Sequence, residues 1–241
     1  MQTKPQFGID APGVVRNLAL LGSASLLACA ACLWFGWTAP AISFAWAGGS
    51  MLLSALWMLY SSRYGKPRAL RNLLAGLALK GDESLLDVGC GRGMLLLQAA
   101  RQLPRGRVTG LDLRSTHDQS GNAAAVTERN AALAGVGERC AIDSGDMRAM
   151  PYPDGSFDVV VSSLAIHNLP NAAERERALA EIVRVLKPGG QIALLDFIHT
   201  AEYLARLRRA GLSALQRSAP DLRMFPPTRI VQGRKPAPTA A

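Results

Sequence analysis

The strongest constraint on this 241-residue chain is a long stretch without charge. Between Arg16 and Arg63 the sequence reads NLALLGSASLLACAACLWFGWTAPAISFAWAGGSMLLSALWMLYSS. A membrane-crossing helix takes about 20 apolar residues, so this run is long enough for two. Thr38-Ala39-Pro40 interrupts it near the middle, which predicts spans over Leu18–Trp37 and Ala41–Tyr60. Trp34, Trp37 and Trp46 fall toward the turn, and Trp57, Tyr60 and Tyr64 toward the other end, the distribution of aromatic belts at two interfaces. The pairs Ala24/Ala28 and Ala45/Gly49 have the small-residue spacing that lets two helices approach. Lys4 and Arg16 precede the run, Arg63, Lys66, Arg68 and Arg71 follow it, and the turn is uncharged. The positive-inside rule then puts both ends on the cytoplasmic side of a membrane, as in a bacterial cytoplasmic membrane. A cleaved signal peptide would have a shorter core and would leave the second span behind. A buried pair of helices in a soluble protein is the other reading of the same run.

Charge is distributed to match. The formal net charge is +9, yet residues 72–200 hold thirteen basic and fifteen acidic side chains. The excess lies beside the apolar run and after Ala201, which suits an anionic membrane surface better than nucleic acid. Cys29, Cys32, Cys90 and Cys140 form no metal-binding spacing in a soluble stretch, and no metal site is expected. Cys29 and Cys32 lie three apart within the apolar run, where packing explains them.

After Gly65 the periodicity changes. Short apolar runs alternate with helical patterns: SLLDVG, RVTGLDL, ERCAIDSGD, FDVVVSSLAI and QIALLDFI read as five strands, with amphipathic helices between them. LSALQRSAP and TRIVQGRKP supply two more strands, suited to an antiparallel pair. FDVVVSSLAI is apolar throughout and so is expected to be buried on both faces. The pattern predicts an α/β fold, a Rossmann-like doubly wound and mostly parallel seven-stranded sheet, preceded by the helical transmembrane hairpin. The expected organisation is a tail over 1–16, the hairpin over 17–63, the α/β domain over 64–236 and a loose end over 237–241.

The ligand is indicated by SLLDVGCGRGMLL, residues 84–96. A glycine-rich turn between strand and helix commonly cradles a diphosphate. Here Met94 stands where the dinucleotide pattern needs its third small residue, and no Gly-Lys-Ser/Thr follows. Asp87 at the strand end would repel a phosphate, but it suits a ligand carrying an ammonium and a sulfonium, such as S-adenosylmethionine.

Together LLDVGCGRG, GLDL, SGDM, FDVVVSSLAIHNL and RVLKPGG occur in an order and spacing that resemble the class I S-adenosylmethionine-dependent methyltransferases, especially the branch acting on quinones and other small molecules. The resemblance runs from about Arg68 to Pro236 and implies a role for each matching residue. Asp87, Gly89, Cys90 and Gly91 would line the methionine part of the cofactor, with Cys90 at a position taken by small packing residues. Gly93 would let the next helix pack closely. Asp112, with Leu113 beside it, would take the ribose hydroxyls, and a carboxylate can accept from both. Asp146 would accept from the adenine amino group, with Met147 against the ring, and Ser162 and Leu164 would face the reactive end. Asp154 and Asp158 read as turn and strand-start residues, and His117 as surface. His167-Asn168, just past the fourth strand, is the catalytic candidate. A histidine there could orient the acceptor or take its proton, or be a loop residue, and the sequence leaves these open.

The function expected from these features is methyl transfer from S-adenosylmethionine to a small, amphipathic or lipid-like acceptor at the membrane. Detoxification of a small thiol or metalloid and a non-catalytic cofactor sensor are the alternatives.

Overall fold

The computed structural model describes residues 4–113 and 124–237. His117 and most of the terminal stretch 237–241 lie outside the described residues. The chain divides into two units. One holds Gly8–Pro67 together with Leu222–Pro226; the other holds Arg68–Asp221, the residues from Pro227 onward, and the described part of Met1–Phe7.

In the helical unit, α1 (Pro12–Trp34) and α2 (Thr38–Tyr60) form a hairpin. The turn comes earlier than the proline suggests. Gly36, at φ 76°, makes the left-handed step, and Trp37 N donates to Cys32 O at 2.8 Å. Pro40 sits in the first turn of α2, where its missing N–H leaves no hydrogen bond unmade. The seam also differs from the expected one. Ala41, Gly48 and Ala55, a seven-residue repeat, are buried on α2, and Val15, Gly22 and Cys32 on α1. A Cβ on Gly48 would stand 2.8 Å from Gly22 O, whereas one on Gly49 would meet nothing. Close approach is therefore made by Gly22 and Gly48, because a seven-residue repeat stays on one face over the whole helix. Leu20, Leu21, Leu27, Ile42, Leu53 and Leu56 are exposed.

The open end of the hairpin is tied. Ser62 Oγ accepts from Asp10 N at 3.1 Å, and Lys66 Nζ donates to Asp10 Oδ1 at 2.7 Å. Segment 222–226 closes on the same end: Met224 is only 2% exposed, Phe225 N donates to Ser61 Oγ at 2.9 Å, and the Phe225 and Trp57 rings lie 5.2 Å apart.

The other unit is built on seven strands: β1 (Ser84–Val88), β2 (Arg107–Asp112), β3 (Cys140–Ser144), β4 (Phe157–Ser163), β5 (Leu186–Asp196), β6 (Ser213–Arg217) and β7 (Arg229–Arg234). Their order is β3-β2-β1-β4-β5-β7-β6, with the first five parallel and β7 antiparallel to both β5 and β6. The expected mostly parallel seven-stranded sheet is present, and its last two strands are the antiparallel pair. α3 (Lys66–Ala75) leads toward the sheet, α4 (Met94–Gln102) and α5 (Ala124–Leu133) pack along β1–β3, and α6 (Ala172–Val185) and α7 (Thr200–Arg209) along β5–β7. Leu86, Val88, Leu111, Val160, Ile182 and Leu194 are buried in the core. Lys187-Pro188-Gly189-Gly190 follows the end of α6 and belongs to β5, as an irregular start where the pairing with β4 jumps from Leu186 to Gln191. The chain reverses its order between β1 and β4, which opens a crevice at the C-terminal ends of these strands.

Candidate active site

The glycine loop occupies that crevice. Gly89, Gly91 and Gly93 have φ of 74°, 51° and 83°, a left-handed conformation that side chains with a Cβ rarely adopt. Gly89 is also sterically required, since a Cβ there would lie 2.2 Å from Ala165 Cβ. Asp87 is buried at the end of β1. Asp112, at the end of β2, accepts from Gly91 N at 2.7 Å, so the carboxylate assigned to the ribose also shapes the loop. Leu113 beside it is 60% exposed. Cys90 is buried with its Sγ against Gly110, a packing role.

The remaining predicted residues converge on the same end of the sheet in different ways. Met147 brings its methyl group near Gly89, 3.6 Å from the position a Cβ would take. Asp146 is gripped by Arg148, whose Nε donates to both carboxylate oxygens at 2.9 Å. That guanidinium holds the Asp146 carboxyl below the usual range, and it also pairs with Glu174 of α6. Ser162 is buried, and its hydroxyl donates to Val88 O at 2.7 Å, bracing β1 where the loop begins. Leu164 adopts φ 54°, unusual for a residue with a Cβ, and donates its N–H to Leu195 O. Asp158 accepts from Ser84 N and Lys187 Nζ, each at 2.9 Å, consistent with a structural role.

His167 gains a partner that periodicity did not disclose. Asp196, at the end of β5, is buried, and its Oδ1 lies 2.8 Å from His167 Nδ1, a close contact without the alignment of a hydrogen bond. The same carboxylate accepts from His167 N (3.3 Å), Phe197 N (2.9 Å) and Tyr203 Oη (3.1 Å). Burial and that neighbouring carboxylate push the Tyr203 phenol well up, so it stays a donor. The carboxylate favours the tautomer with its proton on Nδ1, which leaves Nε2 as the basic nitrogen. The Phe197 ring packs edge-on to His167 at 4.5 Å; it is 38% exposed, and Ile198 beside it is exposed too. Asn168 is exposed. The cue for Asp196 was an acid closing a strand, the same cue that marked Asp112. Thr127 and Asn130 of α5, both buried, were also missed: Thr127 Oγ1 donates to Gly91 O at 2.7 Å and Asn130 Nδ2 to Arg92 O at 3.0 Å. Polar residues three apart on an otherwise alanine-rich helix were the available cue. Among the described residues no group of acids, histidines or cysteines is placed to hold a metal ion.

Residues 86–194 match the family described as a methyltransferase domain. The chain is 35% identical over 130 residues to the 27-O-demethylrifamycin SV methyltransferase of Amycolatopsis mediterranei, a match covering 54% of this chain and 44% of the relative. It is likewise 35% identical over 127 residues to the demethylmenaquinone methyltransferase of Symbiobacterium thermophilum, covering 52% and 47%. The chain thus spans less than half the length of these curated relatives. Among solved structures, an S-adenosylmethionine-dependent methyltransferase from Aquifex aeolicus shares the fold with a TM-score of 0.55 and 19% identity, over 68% of this chain and 88% of that one. The cyclase SpnF shares it with a TM-score of 0.62 and 22% identity, over 73% and 83%. The matched segment begins within β1, contains the glycine loop, Asp112 and Asp146, and ends within β5. The matched segment, residues 86–194, is therefore a methyltransferase domain of the S-adenosylmethionine-dependent type.

Proposed function

We propose that this protein transfers the methyl group of S-adenosylmethionine to a hydroxyl or other protonated nucleophile on a small amphipathic acceptor, at a membrane surface. The observation that carries the reading is the left-handed glycine loop clasped by Asp112 at the β1/β4 crevice. Asp87 and the loop would hold the amino-acid part of the cofactor, Asp112 the ribose hydroxyls, and Asp146 with Met147 the adenine. The cofactor supplies an electrophilic methyl group whose leaving sulfide needs no acid. The chain's own contribution is alignment and exclusion of water around the reacting atoms. His167 Nε2 would take the acceptor's proton, with Asp196 stabilising the imidazolium that forms.

Two features support an amphipathic acceptor. Phe197 and Ile198 present apolar surface beside His167. The helices α1 and α2 keep their outer faces apolar, with Trp34, Phe35 and Trp37 exposed at the turn and Tyr60 and Tyr64 at the other end. Those helices have the length and composition to cross a membrane, and their basic flanks would keep the methyltransferase domain cytoplasmic. The relatives are named for small-molecule acceptors, 27-O-demethylrifamycin SV and demethylmenaquinone. Thiol or metalloid detoxification is less well supported, because Cys90 is buried and burial pushes the Cys140 thiol up to about 11.

The test is methyl-labelled S-adenosylmethionine with full-length protein in detergent, offered membrane lipid extract, quinols or polar metabolites. The expected result is S-adenosylhomocysteine release and label in the lipid or quinol fraction. Label only in polar metabolites would refute the amphipathic acceptor. Cofactor binding without turnover on any acceptor would favour the sensor reading, and a cyclase in the same fold makes that assay necessary.

A further inference from the structure

We infer that Asn130 is a positioning residue through which the N-terminal arm, Lys4–Phe7, holds the glycine loop in its cofactor-binding shape. The inference rests on the reading that this loop binds S-adenosylmethionine.

The Asn130 amide is buried and fully used. Its Oδ1 accepts from Gln6 N at 2.9 Å, while Nδ2 donates to Gln6 O and to Arg92 O, each at 3.0 Å. Both hydrogens of Nδ2 are therefore engaged, one on the arm and one on the loop. One turn earlier on α5, Thr127 donates to Gly91 O at 2.7 Å. Residues three apart share a helix face, so α5 fixes two consecutive loop carbonyls from one side. The peptide unit is planar. Fixing the carbonyls of Gly91 and Arg92 thus fixes the N–H groups of Arg92 and Gly93, and Asp112 fixes that of Gly91 from elsewhere. The loop has three glycines in left-handed conformations, which have no side chains to hold them there, so it needs such outside constraints.

The arm selects the orientation of the amide. Turned over, Asn130 would point its oxygen at two carbonyls, Gln6 O and Arg92 O, and its nitrogen at the Gln6 N–H. With Gln6 in place, both ends of that misfit are penalised; without it, only the Arg92 contact opposes the turn. Lys4–Phe7 thus belongs to the cofactor site although it precedes both long helices in sequence, and it groups with the sheet unit rather than the helical one.

The test uses the full chain in detergent, with S-adenosylmethionine affinity by calorimetry and steady-state kinetics. Asn130→Ala is expected to weaken cofactor binding about tenfold or more, the scale of one to two buried hydrogen bonds. Deleting residues 2–7, or removing the Gln6 N–H by Gln6→Pro, should raise the cofactor Kd and KM roughly three- to tenfold, with kcat at saturating cofactor within about twofold. In the Asn130→Ala background the deletion should add nothing, because the path through the amide is already cut. The deletion and Gln6→Pro keep the test decisive if Asn130→Ala fails to fold. Effects of deletion and Asn130→Ala that simply add, or a deletion that leaves the cofactor KM unmoved, would overturn the inference alone. Wild-type protein that binds no S-adenosylmethionine would instead overturn the cofactor reading beneath it.

Discussion

Replacing Gly89 by Ala tests the geometry of the cofactor loop most directly. The added methyl group would stand 2.2 Å from Ala165 Cβ, against an ordinary carbon–carbon contact of about 3.5–4.0 Å. Loop and Ala165 must therefore part by roughly 1.3–1.8 Å. Holding alanine at φ 74° costs about 1–2 kcal/mol, and forcing apart a packed contact a further ~1–3 kcal/mol. The two sum to a destabilisation of about 2–5 kcal/mol. A loop displaced by more than an ångström would also lose the backbone contacts proposed for the cofactor, for about 10- to 100-fold in Kd. The companion change Ala165→Gly removes the opposing methyl group and leaves the conformational strain in place. The double variant should thus regain the packing part, about 1–3 kcal/mol, and most of the affinity, while staying about 1–2 kcal/mol below wild type. Denaturant unfolding and calorimetric titration with S-adenosylmethionine read both quantities in detergent-solubilised protein. Wild-type affinity in Gly89→Ala, or no rescue by Ala165→Gly, would refute the steric argument.

Three further outcomes follow from other parts of the molecule. Asp112→Ala removes the acceptor for Gly91 N–H together with the carboxylate assigned to the ribose, so the cofactor Kd by calorimetry should rise about 30-fold or more, and an unchanged Kd would count against that assignment. Gly48→Val drives a side chain into Gly22 O and Leu26, and should destabilise the α1–α2 hairpin by about 1–3 kcal/mol in detergent melts, whereas Gly49→Val, facing open space, should not. Arg184 holds the Glu181 carboxyl below its ordinary value, so Glu181 contributes stability that is complete above the unfolded-state pKa and disappears as the pH falls through the depressed one; Glu181→Gln should narrow the gap in melting temperature between neutral and acid pH, and an identical profile would contradict this.

Much of the molecule is local and so was legible. The uncharged run announces paired helices because charge is excluded residue by residue. The apolar alternation after Gly65 announces strands and helices because periodicities of 2 and 3.6 are properties of neighbours. The glycine loop and Asp112 were legible because positive φ and strand-end acids leave their mark within a few positions.

The order of elements, the mostly parallel sheet and the glycine loop proposed to hold the cofactor were thus written in local pattern. Which side chains meet across distance was settled by the folded arrangement. His167 and Asp196 are 29 residues apart, and their pairing is invisible until β4 and β5 lie side by side. Asn130 reaches both Gln6, 124 residues away, and Arg92. The hairpin's seam fell on Gly22 and Gly48 rather than on the equally plausible alanines, and Leu222–Pro226 joined helices that end more than a hundred and fifty residues earlier. A local pattern says which face a residue takes, but its partner on that face is chosen by strand order and helix register, which are set by burial of the whole core.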